Sequence, residues 1–180
     1  MEDILTRIRR TSKLGKLGEN LAAEALEMRG FSNVKNLNDL RNNYPFADLL
    51  AERAGRRYFI GVKARNEERD IGGLNEAYNC VLVPDVVNKR LKAQGKSAEE
   101  ITAIALAQVR TLAHQFGAIP AWIAIPIRPA KRAYAVYFGL LTDLGNRRSI
   151  PMTHVARSKY ECLMGWTIDP RITSGLCNSV

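Results

Sequence analysis

A carboxylate and an ammonium group stand on neighbouring predicted strands in PFADLLAERAGRRYFIGVKAR, residues 45–65. Asp48 opens the first apolar run and Lys63 ends the second. A carboxylate supplies the hard oxygen ligands that divalent metal ions prefer, and a nearby lysine offsets negative charge that builds on a reacting group. The alternative is a cross-strand ion pair, which contributes only a fraction of a kcal/mol to stability.

A third charged residue, Glu19, lies on a predicted helix ahead of the two strands. Large apolar side chains form one stripe of that helix, at steps of three and four residues: Leu14, Leu17, Leu21, Ala25 and Met28. Glu19 borders a different strip of small residues that includes Gly15, Gly18 and Ala22. We expect this strip to let a neighbouring backbone come close and to set the Glu19 carboxylate beside it. A solvated glutamate at the helix margin is the alternative.

The elements that must position these residues alternate between helical and strand patterns. In chain order they are a helix from Leu14 that Gly30 ends, strands at 31–37, 46–52 and 56–64, a helix at 98–116, strands at 121–127 and 132–141, and a helix at 154–166. Ser97 and Glu100 form a capping-box pattern that starts the helix at 98–116, and Gly117 ends it. The order predicts an α/β layer fold with a mixed sheet.

The length of 180 residues suits one well-buried domain rather than two. We expect a basic lead-in at 1–13, a single domain at 14–150 with an insertion at about 66–96, and a C-terminal extension at 151–180.

Charge points to a polyanionic partner. Lysine and arginine outnumber aspartate and glutamate by 27 to 18, a net charge of +9, which is typical of nucleic-acid-binding proteins. The residues we expect to contact a phosphate backbone are Lys16, Arg41, Arg57 and Arg65. Tyr44 or Tyr78 is a candidate for stacking on a base, and Trp122 is expected in the core. A generally basic protein with no nucleic-acid role is the alternative.

Cysteine usage and hydropathy indicate a reduced, cytoplasmic environment. Cys80, Cys162 and Cys177 are widely spaced and form no C-x-x-C pair, which supports neither a disulfide framework nor a zinc ribbon. The longest apolar stretch, AWIAIPI, is far shorter than a membrane helix requires, and the acidic start MEDILTRIRR leads into no apolar core. We therefore expect a cytoplasmic protein that does not associate with a membrane.

The order of Glu19, Asp48 and Lys63 on a helix and two strands resembles the PD-(D/E)XK nuclease superfamily, and within it the archaeal Holliday-junction-resolvase-like branch. The similar segments are LGENLAAEALEMRGF, PFADLLAERAG, YFIGVKAR and TLAHQFGAIPAWIAIP, which span about residues 14–127. The resemblance implies a restriction-endonuclease-like three-layer core, with helices on both faces of a central mixed sheet. It also implies Mg²⁺-dependent (or Mn²⁺-dependent) cleavage of DNA, and a homodimer.

The resemblance further implies roles for individual residues. Glu19 and Asp48 would bind the metal ion, and Lys63 would orient the attacking water or stabilise the transition state. The sequence departs from the family at Gly61, where the family has an acidic residue two positions before the lysine. The Val62 carbonyl, or one of the carboxylates of Glu24, Glu67, Glu68 and Asp70, is left as a substitute. A nucleic-acid-binding or assembly protein that kept the fold and lost catalysis is the competing hypothesis.

Overall fold

The computed structural model describes residues 4–39, 46–69, 72–81, 83 and 85–173. In these ranges the chain forms an α/β fold with one mixed six-stranded sheet, one two-stranded sheet and four α-helices. The helices are α1 Ile4–Met28, α2 Asp85–Ala93, α3 Ala98–Gln115 and α4 His154–Arg157. The strands are β1 Ser32–Asn36, β2 Leu49–Arg53, β3 Arg56–Asn66, β4 Ala77–Asn79, β5 Ile119–Arg128, β6 Ala133–Leu140, β7 Ser149–Pro151 and β8 Glu161–Ile168.

The main sheet has the strand order β1-β2-β3-β5-β6-β8. β1, β2 and β3 run antiparallel in succession, whereas β5 runs parallel to β3. A parallel neighbour requires a crossover connection, and α2 and α3 lie in the connection between β3 and β5. β6 and β8 complete the sheet with antiparallel pairing, and β4 pairs separately with β7. No helix in the described ranges is long and apolar enough to cross a membrane.

For the helices predicted from Leu14 and at 98–116, the predicted ends are confirmed with one exception. The Ser97 side chain accepts the Glu100 N–H and the Glu100 carboxylate accepts the Ser97 N–H, which is the capping box expected at the start of α3. Gly117, at φ 58°, follows the end of that helix. The exception is α1, which begins at Ile4 instead of Leu14. Arginine, lysine and leucine are good helix formers, so the helix extends into the basic segment that precedes the apolar stripe.

α1 packs on the sheet through its apolar stripe and its small residues. Leu21 and Leu26 are fully buried in one core cluster with Ile60 and other residues of the sheet. At Gly18 the helix comes so close to β3 that an added Cβ would lie 2.5 Å from the Ala64 Cβ. The expectation that small residues bring a backbone close to this helix is therefore confirmed.

α3 packs against a different set of strand residues. Its Leu106 and Val109 lie in a second cluster with Trp122, and its Ala113 lies in a third cluster with Phe59. Consecutive residues of a strand point to opposite faces, and Phe59 is buried in a different cluster from its neighbour Ile60.

The helix predicted at 154–166 is wrong beyond Arg157. Only α4 is helical there, and residues 161–168 form β8, which pairs with β6 and buries Leu163 in the core. A short apolar segment does not distinguish a helix from a buried strand by periodicity alone, and the free edge of β6 supplies the backbone partners that favour the strand. The expected C-terminal extension thus contributes the sixth strand of the main sheet.

Candidate functional site

Asp48 lies directly before β2, not within a strand as predicted. Its main-chain N–H donates to the Ile60 carbonyl at 2.9 Å, and its carboxylate accepts the Val62 N–H at 2.6 Å. The Asp48 carboxylate thus takes the place of a main-chain acceptor where the segment before β2 separates from β3. The side chain therefore has a structural role. The ion pair with Lys63 that we kept as an alternative does not form, because the Asp48 carboxylate binds the backbone of β3 instead.

β1 holds Glu19 at the corner of the main sheet where α1, β1, β2 and β3 meet and where Asp48 also lies. Its carboxylate accepts a hydrogen bond from the Asn36 side-chain amide at 3.1 Å. The next residue, Leu37, donates its N–H to the Asp48 carbonyl at 2.8 Å. Glu19 is therefore linked through Asn36 and Leu37 to Asp48, and the half-buried glutamate is not a solvated residue at the helix margin.

Lys63 follows Val62, whose N–H binds Asp48, and its side chain is half-buried. Burial raises the pKa of the Cys80 thiol to about 11, and the positive charge of the nearby Lys63 acts in the opposite direction. Within the part of the chain that the structure describes, Lys63 forms no ion pair with a carboxylate.

Gly61 is buried, and its missing side chain has a structural reason. An added Cβ would lie 3.1 Å from the main-chain oxygen of Phe46, which is tighter than most such contacts. Phe46 itself has φ 69°, a left-handed conformation that is rare for a bulky residue. An acidic side chain at position 61 therefore requires the main chain at Phe46 to move by a few tenths of an ångström.

Two of the proposed substitute carboxylates are bound to arginines. Glu67 is only 5% exposed and pairs with Arg128 and, at 2.8 Å, with Arg157. Burial alone would raise the pKa of Glu67, but the hydrogen bonds from the two arginines outweigh it and hold the pKa below its usual value. Glu24 pairs with Arg171 at 2.6 Å. Neither carboxylate is free to replace the family's missing acid.

The other two proposed substitutes are Glu68 and Asp70. Glu68 is exposed beyond the end of β3, and Asp70 lies outside the described residues.

The donor set at the corner suits a metal ion that takes few protein ligands. No three histidine, cysteine, aspartate or glutamate side chains in the described ranges are grouped so that they could hold a metal ion. Glu19 and Asp48 each use one carboxylate oxygen in the hydrogen bonds above, which leaves one oxygen on each. Mg²⁺ is often held by one or two carboxylates, with water and substrate phosphates as the remaining ligands, so two carboxylates fit Mg²⁺ better than a closed protein site.

Among the predicted phosphate-contacting residues that the structure describes, Arg57 and Arg65 lie at opposite ends of β3. Lys16 is exposed on α1, and Arg65 is exposed near the end of β3. Arg57 pairs with Glu52 at 2.8 Å and also donates to a main-chain carbonyl, at the far end of β3 from Lys63. Arg41 lies outside the described residues, as does Tyr44. Tyr78 is 1% exposed, so its ring is not available for stacking on a base.

Two contributors to this corner were missed from the sequence: the Asn36 amide and the Phe46 carbonyl. An asparagine at the end of a strand and a residue beside a proline have no distinctive sequence signal. Their roles depend on the pairing of β1 with β2 and on the path of the chain into β2.

Comparisons with protein-family models, with curated proteins and with solved structures found no match to this chain.

Proposed function

We propose that this protein is a metal-dependent nuclease that cleaves DNA on a restriction-endonuclease-like scaffold. The observation that carries the proposal is the hydrogen-bonded link from Glu19 through Asn36 and Leu37 to Asp48, whose carboxylate binds the residue before Lys63. Two hydrogen bonds, Asn36 to Glu19 and the Val62 N–H to Asp48, hold the two carboxylates where α1, β1, β2 and β3 meet. Lys63 follows on β3.

The topology supports the same proposal. A helix, three antiparallel strands, a crossover containing helices and a strand parallel to the third follow one another along the chain. α1 and α3 pack with consecutive residues of β3, Ile60 with α1 and Phe59 with α3. This favours a three-layer arrangement, because consecutive residues of a strand lie on opposite faces.

Each residue of the corner has a chemical role in this proposal. Glu19 and Asp48 would hold Mg²⁺ or Mn²⁺ through their remaining carboxylate oxygens, and a bound metal ion polarises a phosphate and lowers the pKa of water. The Lys63 ammonium would stabilise negative charge on the phosphate oxygens in the transition state. Because Lys63 forms no ion pair with a carboxylate in the described ranges, its charge is available to an incoming phosphate.

The decisive experiment compares charge-removing variants at the corner with matched surface variants. Asp48→Asn and Lys63→Met should abolish Mg²⁺-dependent nicking of plasmid and branched DNA, whereas Lys92→Met, at an exposed lysine of α2, should leave it unchanged. Circular dichroism establishes that each variant is folded. Undiminished nicking by folded Asp48→Asn and Lys63→Met proteins would refute the assignment. The homodimer that the resemblance implies is checked by sedimentation of the same proteins.

A nucleic-acid-binding protein without catalytic activity is the second candidate, and Gly61 favours it. The Phe46 carbonyl lies 3.1 Å from where a Cβ at position 61 would stand, a close approach that is expected if the site no longer needs an acid there. This candidate predicts salt-dependent DNA binding with no cleavage in Mg²⁺ or Mn²⁺. Gly61→Glu restores the acid after a small shift at Phe46, and it should then create metal binding that the unmodified protein lacks. Tight divalent-metal binding by the unmodified protein would contradict this candidate.

A further inference from the structure

Trp166 is a large aromatic residue that the structure leaves partly exposed at the edge of the main sheet. It lies in β8, and 39% of its surface is exposed. Trp122, the other tryptophan of the chain, is fully buried in the core as expected. An exposed tryptophan on an edge strand is a frequent binding residue, because its ring contributes a large contact area at low entropic cost.

The backbone and a neighbouring arginine set the direction of the Trp166 ring. The register between β6 and β8 shifts so that Gly165 and Trp166 together stand opposite Ala135, which is a β-bulge. Bulges of this kind re-aim a side chain. The Arg128 guanidinium lies over the indole at 3.6 Å from the ring centroid. Arg128 is in turn bound to the buried Glu67, so the pair is fixed.

The surroundings of this pair are positively charged. The turn that follows Arg128 carries Lys131 and Arg132, which are both exposed. Arg65 is paired with Pro126 in the register, two residues before Arg128, and therefore lies on the same face of the sheet. Of the acids near Arg128, Glu67 is bound to arginines, and Glu68 is exposed.

Lys63 shares this face. It lies two residues before Arg65 on β3, so their side chains point the same way. Lys63 pairs with Ala124, four residues before Arg128 on β5, which corresponds to about 13 Å along the strand. A short stretch of single strand covers such a distance, so one nucleic-acid molecule can contact both places.

We propose that the Trp166–Arg128 pair is a stacking platform for an unpaired base, and that the substrate carries a single-stranded portion beside Lys63. The inference rests on the proposed function, because it takes DNA as the ligand. One indole face is against Arg128, and the exposed surface of the ring receives the base. Arg65, Lys131 and Arg132 supply the positive charge that follows the phosphates. This combination of an aromatic ring with basic residues is how sequence-independent single-strand binding is generally achieved.

Intrinsic fluorescence provides a direct assay, since Trp122 is buried and Trp166 is exposed. Oligothymidine, added in EDTA so that no cleavage occurs, should quench the fluorescence of Trp166, and duplex DNA of the same length should quench it much less. Trp166→Ala should weaken oligothymidine binding, measured by anisotropy of a labelled strand, by about tenfold or more. Trp166→Phe should retain most of the affinity, because it keeps an aromatic face.

Ile168→Ala is the matched control: Ile168 is on the same strand and 77% exposed, and its removal should not change DNA binding. Unfolding of each variant in urea shows whether the ring only shields the Arg128–Glu67 pair. A Trp166→Ala protein that is less stable but binds oligothymidine normally would overturn the proposal. So would a Trp166→Ala protein that loses self-association and keeps its DNA affinity, because the face would then be an interface between copies.

The outcomes also separate this inference from the proposed nuclease. If Lys63→Met abolishes cleavage while Trp166→Ala changes neither binding nor quenching, the platform is wrong and the nuclease proposal stands. If the unmodified protein binds oligothymidine through Trp166 but never cleaves, the platform stands and the nuclease proposal falls. If it binds no nucleic acid at low salt, both are wrong.

Discussion

Because α1 contacts β3 closely, replacing two glycines of α1 by alanine should change the free energy of unfolding in opposite directions. Gly15 and Gly18 lie in α1, and an added Cβ at Gly15 would meet nothing within 4 Å. Gly15→Ala should therefore stabilise the protein by about 0.5–1 kcal/mol, the usual gain from replacing a glycine within a helix. Gly18→Ala makes the same gain but sets its Cβ 2.5 Å from the Ala64 Cβ.

The cost at Gly18 follows from that distance. Carbon atoms pack at about 3.5–4.0 Å, so α1 and β3 must separate by about 1 Å, and buried contacts such as those of Leu21 are loosened. Overpacking of this kind costs about 1–3 kcal/mol. Because both variants make the same exchange in the same helix, the difference between their free energies of unfolding isolates the steric cost.

Urea unfolding followed by circular dichroism measures this difference. With a slope of about 2 kcal/mol per molar urea, the midpoints of Gly15→Ala and Gly18→Ala should differ by about 0.5–1.5 M, with Gly18→Ala lower. The double variant Gly18→Ala/Ala64→Gly should recover part of the loss, because it removes the methyl group that clashes. Equal midpoints for the two single variants would refute the close approach of α1 to β3, and with it the position of Glu19.

Two further predictions concern the buried polar side chains of Glu67, which follows β3, and of Tyr78 in β4. Arg157→Met leaves Glu67 with Arg128 alone, so we expect a loss of about 2–3 kcal/mol in urea unfolding. The lowered pKa of Glu67 stabilises the fold at pH values above the unfolded pKa of about 4.3, and this stabilisation is lost as the pH falls through the folded pKa. The midpoint of acid unfolding should therefore move to higher pH in Arg157→Met. An unchanged midpoint would contradict the pairing of Arg157 with Glu67. Tyr78→Phe should be neutral or stabilising, because the buried Tyr78 hydroxyl has no hydrogen-bond partner in the described ranges; a loss above about 1 kcal/mol would show that the hydroxyl is bound.

Helices and the order of strands were predictable because their signals are local. The Ser97–Glu100 capping box lies within one helical turn. The apolar stripe of α1 is a periodic pattern that can be read from the sequence without knowledge of the tertiary structure. The hairpin of β2 and β3 follows from two apolar runs joined by a short turn. The failures lie where a segment takes its structure from a distant partner, as β8 does from β6.

The candidate site divides in the same way. Glu19, Asp48 and Lys63 were selected from the sequence through their resemblance in order to the PD-(D/E)XK nuclease superfamily, and their role as a site stays a prediction. The partners of these groups could not be selected: the Asp48 carboxylate binds the Val62 N–H, and Glu67 is bound to arginines far along the chain. Such contacts depend on strand register, which no local pattern encodes.

Gly61 illustrates the division most clearly. From the sequence we learn only that Gly61 provides no carboxylate, and whether another acidic residue replaces the missing one stays open. In the tertiary structure it is the position that admits the Phe46 carbonyl at 3.1 Å from where a Cβ would stand. The sequence by itself determined which residue types surround the corner. Packing of the chain before β2 against β3 decided how little space a side chain at position 61 would have, because in a close-packed interior a new side chain must displace its neighbours.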